Sequence, residues 1–494
     1  MKKRSFIAFT IMCLLIVSFY SCADKNIGTD KNETQPVNSS LDNSLPNTTA
    51  TEYNYPEFDG ENSDFRFLNA TTTWFFYTAI EQEEMTADVL DDAIYTRNRF
   101  VENKFNVTIK ETTKDIGAVN NYLRQVILSG EDSFDAAYCS VDWGANIGSL
   151  ITMDYLVNLN NIETLNLDQN YWNQKVLKEA AIGKGEKIFY AINDVNIMDL
   201  QCMSAVYFNQ DMITDLGLDL PYKMVKDGKW TFDALQTYMK AGANLNGAAD
   251  YKWEQNSSTT YGLTSYEGSG VALLEGAREK FITTDTEGIP HLAVESERFE
   301  NVIYKIADML QTQGNYLYAN DKASGFHCED IFMGNRALMM IGELKAADLF
   351  RNMESTFGIL PIPKFDETQD GYYTNLTFFT PVMVIPITNS RLDFTGAVLD
   401  AMAYVSNFDV TPVFFNVSVS QKQLRNDESV EMLELIRNSN SFDIGSAYGW
   451  TSDIYKEIRD ALGQGKEFNL TSQIEKNKGI INAAIDKTMK YFDD

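Results

Sequence analysis

The chain has 494 residues, 44% of them hydrophobic and 12% aromatic, and a formal net charge of -29 from 41 basic and 70 acidic side chains. That length exceeds what one hydrophobic core usually organises, so two domains are expected. So acidic a surface repels phosphate backbones and anionic headgroups, which counts against nucleic acid as a partner and against a strongly anionic substrate.

The N-terminus carries its own signal. Lys2, Lys3 and Arg4 precede an apolar run from Ser5 to Phe19, followed by Ser21 and Cys22. A basic head and a short apolar stretch predict an export signal over residues 1–21. The run falls short of the ~20 residues a membrane-spanning helix needs. Cys22 after a small residue resembles the lipobox of bacterial lipoproteins, although Phe19 and Tyr20 are bulkier than that motif prefers. The expectation is a mature chain held on the outer face of the cytoplasmic membrane by acylated Cys22, more than one acyl chain being needed for stable anchoring. Simple cleavage without lipidation is the alternative. Residues 22–62, rich in Asn, Thr, Ser and Asp, cannot bury a core and predict a flexible tether.

Asp64 to Leu68 predicts a strand that leads into Thr73-Trp74. Leu90, Ile94, Arg97 and Val101 then recur at helical spacing, and Val107 to Thr113 alternates as a half-buried strand does. Val119, Leu123, Val126 and Ile127 predict a helix stopped near Gly130, and Phe134 to Val141 a further apolar strand. This alternation predicts an α/β domain whose ligands sit beyond the carboxyl ends of the strands, where Trp74, Asp142 and Trp143 fall. A second α/β segment opens near Asp199, with Met203 to Asn209 as a buried strand and Thr231 as the N-cap of the next helix. Leu338 to Ile341, Phe357 to Ile362 and Val382 to Ile385 predict later strands. Cys139, Cys202 and Cys328 are odd in number and widely spaced, so they predict buried small hydrophobes rather than disulfides or a zinc site. His327-Cys328-Glu329-Asp330 are too close in sequence to converge on one ion, and no metal or cofactor is expected.

Four stretches carry a family resemblance: Ala205-Val206-Tyr207-Phe208-Asn209-Gln210-Asp211-Met212; Leu216-Gly217-Leu218 through Pro221 to Trp230-Thr231-Phe232-Asp233; Met333-Gly334-Asn335-Arg336-Ala337-Leu338-Met339-Met340; and Phe357-Gly358-Ile359-Leu360-Pro361-Ile362-Pro363-Lys364. In order and spacing they resemble the extracellular solute-binding proteins of the maltose-binding type, family 1. Gln210 and Arg336 depart from the lysines usual there.

The resemblance implies a type II periplasmic-binding-protein fold with two discontinuous α/β lobes joined by hinge strands. The lobes are expected over 63–194 plus 376–415 and over 195–375 plus 416–494. The implied hinge crossings lie near Asn193-Asp194, near Asn375 to Pro381, and around Val413 to Val419. It also implies a monomeric receptor without catalytic activity that passes a small ligand to the permease subunits of an ABC importer.

Sugars need aromatic rings for their C–H faces and carboxylates or amides for their hydroxyls. The residues of those types at strand ends, hinge and closing segments are Trp74, Asp142, Trp143, Asn193, Asp194, Asn196, Tyr266, Glu343, Tyr448 and Trp450. A carbohydrate is therefore the expected ligand. A secreted glycoside hydrolase and an anchored adhesin are the competing classes; the first would need two carboxylates about 5–9 Å apart.

Overall fold

The structure, a computed structural model, describes residues 53–73, 78–183, 187–419 and 427–493. Export signal, Cys22, most of the tether and Trp74 lie outside the described residues.

The strands that build the two main sheets are, in chain order, β1 (Ser63–Thr71), β2 (Val107–Asp115), β3 (Ala136–Ser140), β4 (Ser204–Asn209), β5 (Tyr261–Ser265), β6 (Tyr316–Tyr318), β7 (Ala337–Glu343), β8 (Phe357–Leu360) and β9 (Pro381–Val384). The helices used below are α1 (Val89–Phe105), α2 (Val119–Ser129), α3 (Phe232–Gly242), α4 (Ser269–Gly276), α5 (Leu392–Val405), α6 (Asp427–Arg437), α7 (Ser452–Gly463) and α8 (Leu470–Asp493).

The first sheet has the order β9-β3-β1-β2. β1 runs parallel to β2 and β3, whereas β9, arriving last in the chain, pairs antiparallel with β3 through Pro381↔Ser140 and Met383↔Tyr138. Along β1 the two-residue period divides the core. Phe65 and Phe67 pack with Val101 and Phe105 of α1 and Leu399 and Met402 of α5, while Leu68 and Ala70 pack with Val119 and Leu123 of α2.

α1 forms where expected because its caps and apolar stripe agree. The Asp88 side chain accepts from the Leu90 and Asp91 amides, and Asn106, in the left-handed region at φ 51°, ends the helix. Its buried face includes Arg97, whose guanidinium donates to the carbonyls of Ile80 and Val195 and to the Ser406 hydroxyl. Burial brings that guanidinium down to about 10.

The second sheet has the order β6-β5-β7-β4-β8. β5, β6 and β7 are mutually parallel, and β4 is antiparallel to β7 and β8. Every residue of β4 and β7 is buried, as in a sheet covered on both faces, which is why Ala205–Phe208 and Ala337–Ile341 read as unbroken apolar runs. At the start of α3 the Thr231 hydroxyl accepts from the Ala234 amide at 3.4 Å.

Two passages through described residues join the sheets. One runs through 193–204, and a second through 376–380 into β9. The helix Thr411–Val419 packs on α1, and α6 packs on β8. Residues 413–419, expected as a crossing strand, are thus helical. α7 packs on α4, and α8 packs on α7. The antiparallel late strand of the first sheet and the interrupted build of both lobes define the type II periplasmic-binding-protein fold.

Candidate functional site

A cavity of about 450 Å3 lies where the carboxyl ends of the strands of both lobes meet. That volume is within the range of small-molecule sites. From the first lobe comes Trp143, on a tight hairpin in which Asp142–Trp143 pairs with Ala145–Asn146. Gly144 turns the hairpin at φ 85°, and a Cβ there would stand 2.1 Å from the Gly117 carbonyl oxygen, so only glycine fits. The passage into β9 supplies Thr377, Phe378 and Phe379. From the second lobe come Tyr266 and Glu267 after β5, Asn320, His327 and Glu329 after β6, Glu343 at the end of β7, and Tyr455 and Arg459 one turn apart on α7.

The rings form a connected set. Trp143 stacks on Phe378 with centroids 5.5 Å apart and planes 11° from parallel, and Tyr455 meets Phe378 edge-on at 5.6 Å. The Arg459 guanidinium lies 5.6 Å from the Phe378 centroid and is held by Asp460 at 2.7 Å. Each aromatic pair adds about 0.5–1.5 kcal/mol beyond area burial, so the cluster holds these rings in place.

Three carboxylates differ in their partners. Glu343 is buried and accepts a hydrogen bond from the Tyr266 hydroxyl, and its burial raises its carboxyl above the ordinary value. Glu267 accepts from the Tyr318 hydroxyl and, at 2.6 Å, from the Asn320 amide. Glu329 receives His327 Nδ1 at 2.8 Å and Lys322 Nζ at 3.3 Å. Burial alone would push the Glu329 carboxyl up, but these two partners outweigh it and hold it below the usual range. The cavity thus offers ring faces beside oriented acceptors.

Of the residues expected from sequence, Trp143, Tyr266 and Glu343 line this cavity together. Asp142 stands beside it, accepting from the Ser452 hydroxyl at 2.6 Å. Asn193 and Asp194 line a different cavity. Asn193 accepts from the Tyr138 hydroxyl at 2.7 Å, and Asp194 from the Asn407 amide at 2.7 Å and from Arg437 at 3.3 Å. Asn196 is buried and donates to Asn69 at 2.8 Å. Tyr448 and Trp450 stack on each other at 4.7 Å, with the Trp450 indole donating to Thr488 of α8. Both are buried and neither lines the cavity.

Glu267 lies beside Tyr266 in the turn expected at the cleft, whereas Phe378, Asn320, His327, Glu329, Tyr455 and Arg459 are not among the ligand residues expected from sequence. Of the latter, only Tyr455 and Arg459 carried a usable signal, the four-residue spacing that puts them on one helix face. Among the described residues no group of three or more His, Cys, Asp or Glu side chains could hold a metal ion. Cys139, Cys202 and Cys328 are free and buried. The described residues contain no helix long and apolar enough to cross a membrane.

Neither a family model nor a curated protein sequence matches the chain. Solved structures match its fold over most of its length. One is the ABC substrate-binding protein Lmo0181 from Listeria monocytogenes in complex with cycloalternan, 11% identical, with a TM-score of 0.53 over 87% of this chain and 99% of that one. Another is the cyclic α-maltosyl-1,6-maltose binding protein from Arthrobacter globiformis, 13% identical, with a TM-score of 0.56 over 86% of this chain and 100% of that one. A third is UgpB from Mycobacterium tuberculosis in complex with glycerophosphocholine, 11% identical, with a TM-score of 0.54 over 86% and 99%. The chain therefore has the fold of the substrate-binding proteins of ABC transporters. The solved structures that match this fold include binders of maltose-type oligosaccharides.

Proposed function

We propose that the protein is an exported, lipid-anchored receptor that binds a sugar or oligosaccharide between its two lobes and delivers it to the permease subunits of an ABC importer. The observation that carries this reading is the composition of the cavity. Ring faces from Trp143 and Phe378 stand beside the carboxylates of Glu267 and Glu343 and the amide of Asn320, and both lobes contribute. A ligand touching both lobes stabilises the closed form, which is the state a permease can recognise. UgpB, of the same fold, is bound to glycerophosphocholine, so the lining rather than the fold argues for carbohydrate.

The receptor is monomeric, turns nothing over and is held at the membrane by Cys22. Its lobes comprise 63–194 plus 376–415 and 195–375 plus 416–494. Calorimetric titration with neutral oligosaccharides, peptides and small anions tests the ligand class. A neutral oligosaccharide binds, and Trp143→Ala weakens it about 10–100-fold through lost ring contact, roughly 1.4–2.8 kcal/mol. Tight binding of a peptide or an anion with no response to any sugar removes the carbohydrate assignment. Chromatography after long incubation with the bound sugar finds it intact; cleavage products would establish a hydrolase instead.

A further inference from the structure

The first passage between the lobes also borders a second cavity, of about 370 Å3, whose lining shares no residue with the first. The first lobe supplies Asn173 and, beyond α5, Asn407; the second supplies Arg437 at the end of α6 and Asn440. Where the first cavity presents rings, this one presents side-chain amides. Tyr171 and Trp172 border it but are 5% and 1% exposed, and both commit their polar hydrogens to Asp400.

Its charges are committed locally. Asp194 is paired with Arg437, and burial, with Asp194 beside it, raises the Asp199 carboxyl well above its ordinary value. The Lys175 ammonium donates to the Asn438 carbonyl at 2.5 Å. Three buried polar atoms of the lining residues lack any hydrogen-bond partner: Asn193 Nδ2, Asp199 Oδ1 and Asn440 Oδ1. One is an amide donor and two are oxygens. A cation would answer the oxygens and leave the amide unmet, while an anion would stand against the Asn440 oxygen. A hydroxyl both donates and accepts, so a group of hydroxyls answers all three.

We infer that this second cavity binds a small, uncharged, polyhydroxylated solute, a monosaccharide or polyol, at a site separate from the main one. Because Asn407 and Arg437 belong to different lobes, its occupant touches both bodies that closure moves. Occupancy of either site then changes affinity at the other by the same factor.

Calorimetric titration of the purified protein with D-glucose, D-xylose and sorbitol in turn tests this. At least one probe binds wild type and Trp143→Ala alike, and binds Asn440→Leu at least tenfold more weakly. Asn407→Leu, from the opposite wall, gives the same loss and serves if Asn440→Leu does not fold. Absence of binding by all three probes, or binding that survives both amide substitutions, means the cavity holds water alone and overturns the inference.

Discussion

The Asp142 carboxylate accepts a 2.6 Å hydrogen bond from the Ser452 hydroxyl, joining the first-lobe hairpin to the N-terminus of α7 on the second lobe. Burial raises the Asp142 carboxyl to about 6, against the pull of that bond. A carboxyl raised on folding contributes stability fully below its unfolded value near 4 and loses it as pH rises through its folded value. Wild type should therefore lose about 1–2 kcal/mol relative to Asp142→Asn between pH 4 and 6.5, after allowance for partial solvent screening. Chemical denaturation of the two proteins across that window checks it; parallel curves would contradict it.

Glu343 places a carboxylate in the cavity wall with only the Tyr266 hydroxyl as its side-chain donor among the described residues. Its raised carboxyl means that the ionised form is held at a cost to the folded state at neutral pH. Glu343→Gln should raise Tm by about 2 °C while weakening ligand about tenfold, a trade of binding for stability. Calorimetry and thermal melts on one preparation read both; a loss of stability would show that the charge is not held at a cost.

Asp400, fully buried on α5, accepts from Tyr53, Tyr171, the Trp172 indole and both the backbone and side-chain nitrogens of Asn166. Five donors converge on one carboxylate, so Asp400→Asn sets an amide N–H against donors it cannot satisfy. Unfolding free energy should fall by about 2–4 kcal/mol, measurable in denaturant titrations. A change under 0.5 kcal/mol would mean that the donors find water instead.

In the proposed reading, anchoring rests on Cys22 alone. Cys22→Ser should move the protein from the membrane fraction to the soluble exported fraction, read by immunoblot of separated fractions. Unchanged membrane association would end the lipoprotein assignment.

Periodic segments were legible from sequence because local pattern and tertiary environment agree in them. Phe65 and Phe67 alternate with Leu68 and Ala70 about β1, and the interiors of β4 and β7 are apolar because both faces are covered. Trp143, Tyr266 and Glu343 were legible as strand-end residues of the right chemistry. Phe378, Tyr455 and Arg459 were not, because their role depends on a passage and a late helix meeting a hairpin far away in sequence. Tyr448 and Trp450 show the opposite limit: an aromatic pair in a closing position looks the same from sequence whether it faces ligand or, as here, the underside of α8.

The place of β9 in the first sheet has a consequence for biosynthesis. β3, whose five residues are all buried in the finished sheet, waits for its neighbour until Met383 and its flanks have been made, after every strand of the second sheet. Until then the side of β3 away from β1 is an open apolar edge, and the first sheet is incomplete. Pairing over so long a stretch of chain is slow, because loop closure must precede any gain from contact. If the chain is exported as proposed, threaded unfolded through a translocation channel, that delay is useful. It also makes β3 the segment a holding chaperone has most reason to cover.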